Sequence, residues 1–451
     1  MLQGFRSGCA RLQRWCGALL LVAATAHAQA PTTLAIRDAK IVPVSAATID
    51  KGTVVIRDGL IAAVGANAPI PAGAWIIDGT GLTVYPGLID GLSGWGLPNA
   101  QPAAGGGGRG GGGGAPPQPA APKPEQSNSA LDRPATTSWV KAADELLPND
   151  PRLERARSAG FTSAVAFPMR GIFGGQGSVI NLAGEKAAEM VLVPSVGQYL
   201  TMNPSGVGFP ASLMGTISYI RQVYLDAEHY VLVKRAYEAD PRGMKRPDYD
   251  RALEGVLEAK RILLPANTLV EIERMLRFAN ELKQPAILYG LEEGYRGIDV
   301  LKNAHANVLV NLKWPERPRD PDPARVDTLR TLENRDRAAS APAELVKAGV
   351  KFGLYSGGID QARDLQKAVK KAIDAGLSRE DAVRALTLWP AEMFGLADRL
   401  GSIEPGKIAN LAVTRGEIFE DNTKVEMVFI DGKQYRPAPE PAKPKPEGVK
   451  P

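Results

Sequence analysis

The chain has 451 residues, of which 54 are basic and 49 acidic, for a formal net charge of +5. Hydrophobic residues make up 44% and charged residues 23%, ordinary proportions for a globular chain with room for a large core. Three histidines and two cysteines are few at this length, so sites built from clustered imidazoles or thiolates are scarce from the start.

Residues 1–28 have the form of a cleaved secretory leader. Arg6, Arg11 and Arg14 precede an apolar run from Cys16 to Ala26, and Ala26-His27-Ala28 is a small-x-small cleavage site. Cleavage there predicts an exported protein, periplasmic or secreted. Cys9 and Cys16 both leave with the leader, which excludes disulfides and thiolate metal sites from the remainder. That remainder has two histidines, His229 and His305, and 51 basic against 49 acidic residues. Such a balance gives no case for nucleic acid. No later stretch reaches the ~18 apolar residues of a membrane span.

Residues 29–85 read as short strands separated by turns such as Asp58-Gly59 and Asp78-Gly79. From Thr83 apolar runs alternate with helical segments: Thr83 to Asp90, Phe161 to Phe167, Val191 to Val193, Arg261 to Leu264, Pro285 to Tyr289, Asn307 to Lys313 and Val350 to Tyr355. Amphipathic helices such as Leu269 to Leu282 and Asp364 to Ala375 lie between them. Buried strands alternating with helices predict parallel β-α units, and their number favours a closed (β/α)8 TIM-like barrel over 86–395. Residues 100–130, with nine glycines among the ten residues 105–114, bury too little to order themselves and read as a flexible insertion. Sheet character returns after 396, so 29–85 and 396–436 are expected to form one small composite β-sandwich. Residues 437–451 read as a disordered tail.

Three groups of motifs resemble the metal-dependent amidohydrolase superfamily, in its imidazolonepropionase-like branch. They are Ile61 to Gly65 with Ile77 to Gly81 and Tyr85-Pro-Gly-Leu-Ile-Asp90; Ala159 to Ser163 with Gly174-Gly-Gln-Gly177; and Ala385 to Ala391 with Leu400 to Lys407 and Ile430 to Lys433. The resemblance implies zinc or another divalent metal at the C-terminal mouth of the barrel. An H-x-H pair would end the first strand, histidines the fifth and sixth, and an aspartate the eighth. Metal-bound water would then hydrolyse a non-peptide C–N bond. This sequence departs from the pattern at each ligand position, which fall at Leu92, Gly94, Pro265, Tyr289 and Gly357. The usual two-metal site also takes four imidazoles where two remain. The expectation is therefore a protein without a metal cofactor, serving as a non-catalytic binding or partner subunit. It would be a homo-oligomer, a complex with an active relative, or a receptor for a small ligand at the mouth.

The alternative keeps hydrolysis of cyclic amides or N-acyl compounds with substitute groups, Tyr289, Glu292 or Lys313. Glu292 and Glu293 as a carboxylate pair would suit a glycosidase, although adjacent side chains usually diverge. A buried Lys313 would suit a Schiff base. Gly174 to Gly177 could cradle an anion. Ser93 lacks a nucleophile's frame, and both histidines read as ordinary surface or capping residues.

Overall fold

The computed structural model describes residues 33–98, 133–203, 209–318, 320, 326–359, 361–421 and 423–437. The expected leader (1–28), the glycine-rich insertion (100–130) and residues 438–451 of the expected tail lie outside them. In chain order the strands begin with β1 (Thr33–Ile41), β2 (Ile49–Arg57), β3 (Leu60–Gly65), β4 (Trp75–Asp78) and β5 (Thr83–Pro86). Eight follow: β6 (Leu88–Ser93), β7 (Phe161–Ala166), β8 (Phe173–Asn181), β9 (Val191–Leu200), β10 (Ile262–Ala266), β11 (Ala286–Gly290), β12 (Asn307–Asn311) and β13 (Phe352–Tyr355). Then come β14 (Leu411–Arg415), β15 (Lys424–Ile430) and β16 (Lys433–Tyr435).

Both chain ends build one sheet, in the order β16-β15-β14-β5-β1-β2-β3, with β4 also paired to β1. Its hairpins turn at Asp58-Gly59 and Asp431-Gly432, all four residues at positive φ, the conformation that two-residue Asp-Gly turns favour. These two turns touch each other: a Cβ on Gly432 would lie 2.7 Å from the Gly59 Cα. The sheet therefore folds over, and Ile36, Val54, Ile61, Val84, Val413 and Phe429 close into one sandwich core.

Pro86-Gly87 is where the chain leaves this sheet for the barrel. The run expected from Thr83 to Asp90 is split there into β5 and β6, and the Gly87 amide donates to the Asn410 carbonyl at 2.8 Å. Glycine is required by close approach, since a Cβ would meet the Thr162 Oγ1 at 2.0 Å.

The second sheet runs β6-β7-β8-β9-β10-β11-β12-β13 and curls into a barrel. The helices Pro151–Ser158, Leu269–Glu281 and Ala341–Ala348 lie between its strands in the chain and Ala362–Asp374 follows the last of them, each burying an apolar stripe. Thr268 and Glu271 form a reciprocal capping box that starts the second of these. One correction to the expected repeat is needed. β8 pairs antiparallel with both β7 and β9, so two hairpin connections replace two β-α units in this part of the wall. The other neighbouring pairs are parallel.

Candidate active site

The mouth is the end at which the parallel strands finish. There the barrel closes between β6 and β13, which share no ladder. Asp90 bridges this seam. Its Oδ1 accepts the Ser356 amide at 3.0 Å and the Leu92 amide at 3.4 Å, while its Oδ2 is buried without a hydrogen-bond partner. Burial pushes its carboxyl up to about 6, against the opposing pull of the Ser356, Leu92 and Ser93 hydrogen bonds.

The positions that the resemblance marks as ligands carry other chemistry. Leu92 is 3% exposed and packs with Ile89, Val165, Phe167, Leu309 and Tyr355 in the barrel interior. Gly94 lies one residue beyond β6 in a turn closed by the Leu97 amide at 3.2 Å. Pro265 on β10 stands beside Tyr289 on β11 in register. Gly357 has φ +60, and the Asn311 Oδ1 lies 1.8 Å from where its Cβ would be. A side chain there would therefore collide with Asn311.

Tyr289 stacks on Tyr199 with ring centres 5.3 Å apart. Its hydroxyl lies 2.9 Å from the Tyr199 hydroxyl and donates to the Leu200 carbonyl at 3.1 Å. Burial, then the Tyr199 and Tyr355 phenols, hold its proton well above the ordinary range. Tyr289 is thus a neutral phenol with its hydroxyl engaged. These residues do not fit a divalent metal, which asks for ionised oxygens or free imidazoles. Among the described residues no three His, Cys, Asp or Glu side chains converge in a group that could hold one.

Glu292 and Glu293 differ in their partners. Glu293 makes a two-pronged pair with Arg330 (2.5 and 2.8 Å) and accepts the Leu269 amide at 3.3 Å. These contacts, the Arg330 pair foremost, hold its carboxyl below the usual range. Glu292 goes the other way. Burial raises it, Glu271 and Glu293 add to the rise, and Lys313 opposes it. The carboxylate pair of a glycosidase is therefore not formed. Lys313 lies two residues past β12 and is exposed, so the desolvation that a Schiff-base lysine needs is missing.

The remaining candidates have structural employment. His229 is exposed on the helix Leu213–Ala239. His305 is exposed at φ +47 in the turn before β12, at the opposite end of the barrel from the mouth. Ser93 is buried, and its Oγ accepts the Trp95 amide at 3.1 Å. Gly174 to Gly177 belong to β8 and form no anion cradle. A Cβ on Gly177 would strike the Phe167 ring at 2.2 Å, and one on Gly174 the Pro168 carbonyl at 2.3 Å. Gln176 between them donates to the Gly255 carbonyl at 2.7 Å and accepts from Ser195 at 3.0 Å.

Sequence reasoning missed Tyr199, Tyr355 and Asp90. Asp90 was within the motif but not singled out. Tyr199 and Tyr355 come from β9 and β13, whose walls are buried on both faces, so no alternation told inward from outward.

Comparison with known proteins agrees with this architecture. Residues 271–435 match the amidohydrolase family. The chain is 33% identical over 119 residues to the N-acetylglucosamine-6-phosphate deacetylase of Haemophilus influenzae, taking in 24% of this chain and 30% of that protein. It is 24% identical over 439 residues to amidohydrolase tasK of Hapsidospora irregularis, with 84% of this chain and 39% of that one covered. Both matches span less than half the length of these curated relatives. The crystal structure of an amidohydrolase from Thermotoga maritima superposes with a TM-score of 0.70 at 26% identity, covering 89% of this chain and 100% of that one. On its motifs, its barrel and these matches, the chain resembles the amidohydrolase superfamily, with the family match falling on residues 271–435.

Proposed function

We propose that this chain is an amidohydrolase-superfamily member that has lost the metal centre and uses its barrel for binding. Its occupant would be a small ligand at the mouth or a partner subunit such as a metal-bearing relative. The observation that carries this reading is Leu92, buried among apolar side chains where the first-strand histidine of the family belongs. A barrel survives such losses because ligand positions add little to the packing that holds it.

A second reading keeps hydrolysis of non-peptide C–N bonds in cyclic amides or N-acyl compounds without a metal. One observation favours it: the Asp90 carboxyl, raised to about 6 with one oxygen unpartnered, is in the range of a general acid or base.

One preparation tests both. Elemental analysis of the purified chain is expected to find no stoichiometric zinc, manganese or other divalent metal, and an amide panel no turnover. One tightly held metal per chain sinks the first reading. The second needs turnover that a chelator leaves intact and that Asp90→Asn removes.

A further inference from the structure

The loop that joins β1 to β2 (residues 42–48) and the helix Arg379–Ala385 bound a cavity of about 230 Å³. That is smaller than the ~300–1,000 Å³ of sites for drug-sized ligands, so the space suits a small occupant. The helix ends beside the start of β6, where the Ile89 amide donates to the Leu386 carbonyl at 2.6 Å. The mouth lies at the other end of that strand, so this cavity is separate from it. Val42, Val44 and Val383 give the cavity an apolar wall. Val44 sits at φ +72, a left-handed backbone that costs a β-branched residue free energy and that clusters at binding sites.

Two opposite charges also line the cavity, Glu380 and Arg384, four residues apart and so on one face of the helix. They are not spent on each other. Among the described residues neither a hydrogen bond nor an ion pair engages Glu380. Arg384 gives one nitrogen, Nη1, to Asp381 at 3.2 Å, and a guanidinium carries further N–H donors beyond it.

We propose that this cavity binds a free α-amino acid with a short branched apolar side chain. Its ammonium would meet the Glu380 carboxylate, its carboxylate the Arg384 guanidinium, and its side chain the three valines. The two charges select against simpler ligands. A lone anion would face Glu380 and a lone amine would face Arg384, like charge against like at short range. A zwitterion satisfies both, and a guanidinium matches the planar carboxylate with charge-assisted hydrogen bonds.

The test is calorimetric titration of the full chain with L-valine. Isobutylamine is valine without its carboxylate and isovalerate is valine without its ammonium, and both are titrated alongside. Saturable valine binding in roughly the millimolar range is expected, with each analogue about tenfold weaker. Glu380→Gln should weaken valine about tenfold and leave isovalerate no weaker than before. An analogue that binds as tightly as valine overturns the proposal, as does a valine affinity unchanged in a folded Glu380→Gln protein. Absence of valine binding overturns it too. The wild-type comparison of the three probes stands even where the variant does not fold. Because the cavity is apart from the mouth, the metal content of the chain bears on the proposed function and not on this inference.

Discussion

Asp90 holds the first and last strands of the barrel together through one carboxyl oxygen, and the cost of that placement is pH-dependent. Its folded value of about 6 lies above the ordinary 3.8, so the folded chain binds the extra proton. Its contribution to stability is therefore greatest below about pH 4 and falls as pH rises through about 6, by about 3 kcal/mol at most. Asp90→Asn keeps an oxygen for the Ser356 amide and removes the ionisation. Denaturant midpoints between pH 4 and 7 are expected to show wild type losing stability relative to the variant across that window. A constant difference would mean that Asp90 ionises in the fold as it does in water. At this scale the sequence was legible where a motif anchored it. Leu92 and Gly94 follow directly from Pro86 to Asp90, whereas the use of Asp90 as a bridge depends on Ser356, 266 residues away.

Among elements, the helix Leu329–Arg337 is held in an unusual way. It has no buried residue and leaves Val326, Leu329 and Leu332, beside and on it, exposed. Its anchors are ionic: Arg330 to Glu293, Glu333 to Arg296, and Arg337 to Glu344 at 3.3 Å. Arg337 also lies over the Tyr295 ring at 4.6 Å. Exposed ion pairs weaken as salt screens them. Hydrogen exchange in residues 329–337, read by mass spectrometry, should therefore quicken between about 0.05 and 0.5 M salt, and Arg330→Ala should do the same at low salt. Exchange indifferent to both would show that something other than charge holds the helix. Neither this docking nor the reversal of β8 could be read from the sequence. Phe173 to Asn181 carries three glycines whose reason is the nearness of Pro168, Val140 and Phe167, and such nearness leaves no mark on local propensity.

The chain passes from the first sheet to the barrel at Pro86-Gly87 and returns to that sheet before β14, and the first of these crossings brings the two into close contact. Gly87→Ala would press a methyl against Thr162, which is wholly buried and whose Oγ1 has no hydrogen-bond partner. A loss of about 1–3 kcal/mol in denaturant unfolding is expected, with Thr162→Gly in the same chain, which also removes the Cβ 2.7 Å away, restoring part of it. Failure of that second change to restore stability would mean that Gly87 serves the backbone rather than the contact.

By itself the sequence determined the composite sheet, the barrel and the poverty of imidazoles. Strand runs, Asp-Gly turns and residue counts are local or additive properties that survive without coordinates. Only the tertiary structure decided that β8 runs backwards, that Tyr199, Tyr289 and Tyr355 meet at the mouth, and that Glu292 and Glu293 differ in their partners. Each of these depends on which wall a doubly buried strand turns inward and on partners far away in the chain, and the closing of the barrel sets both.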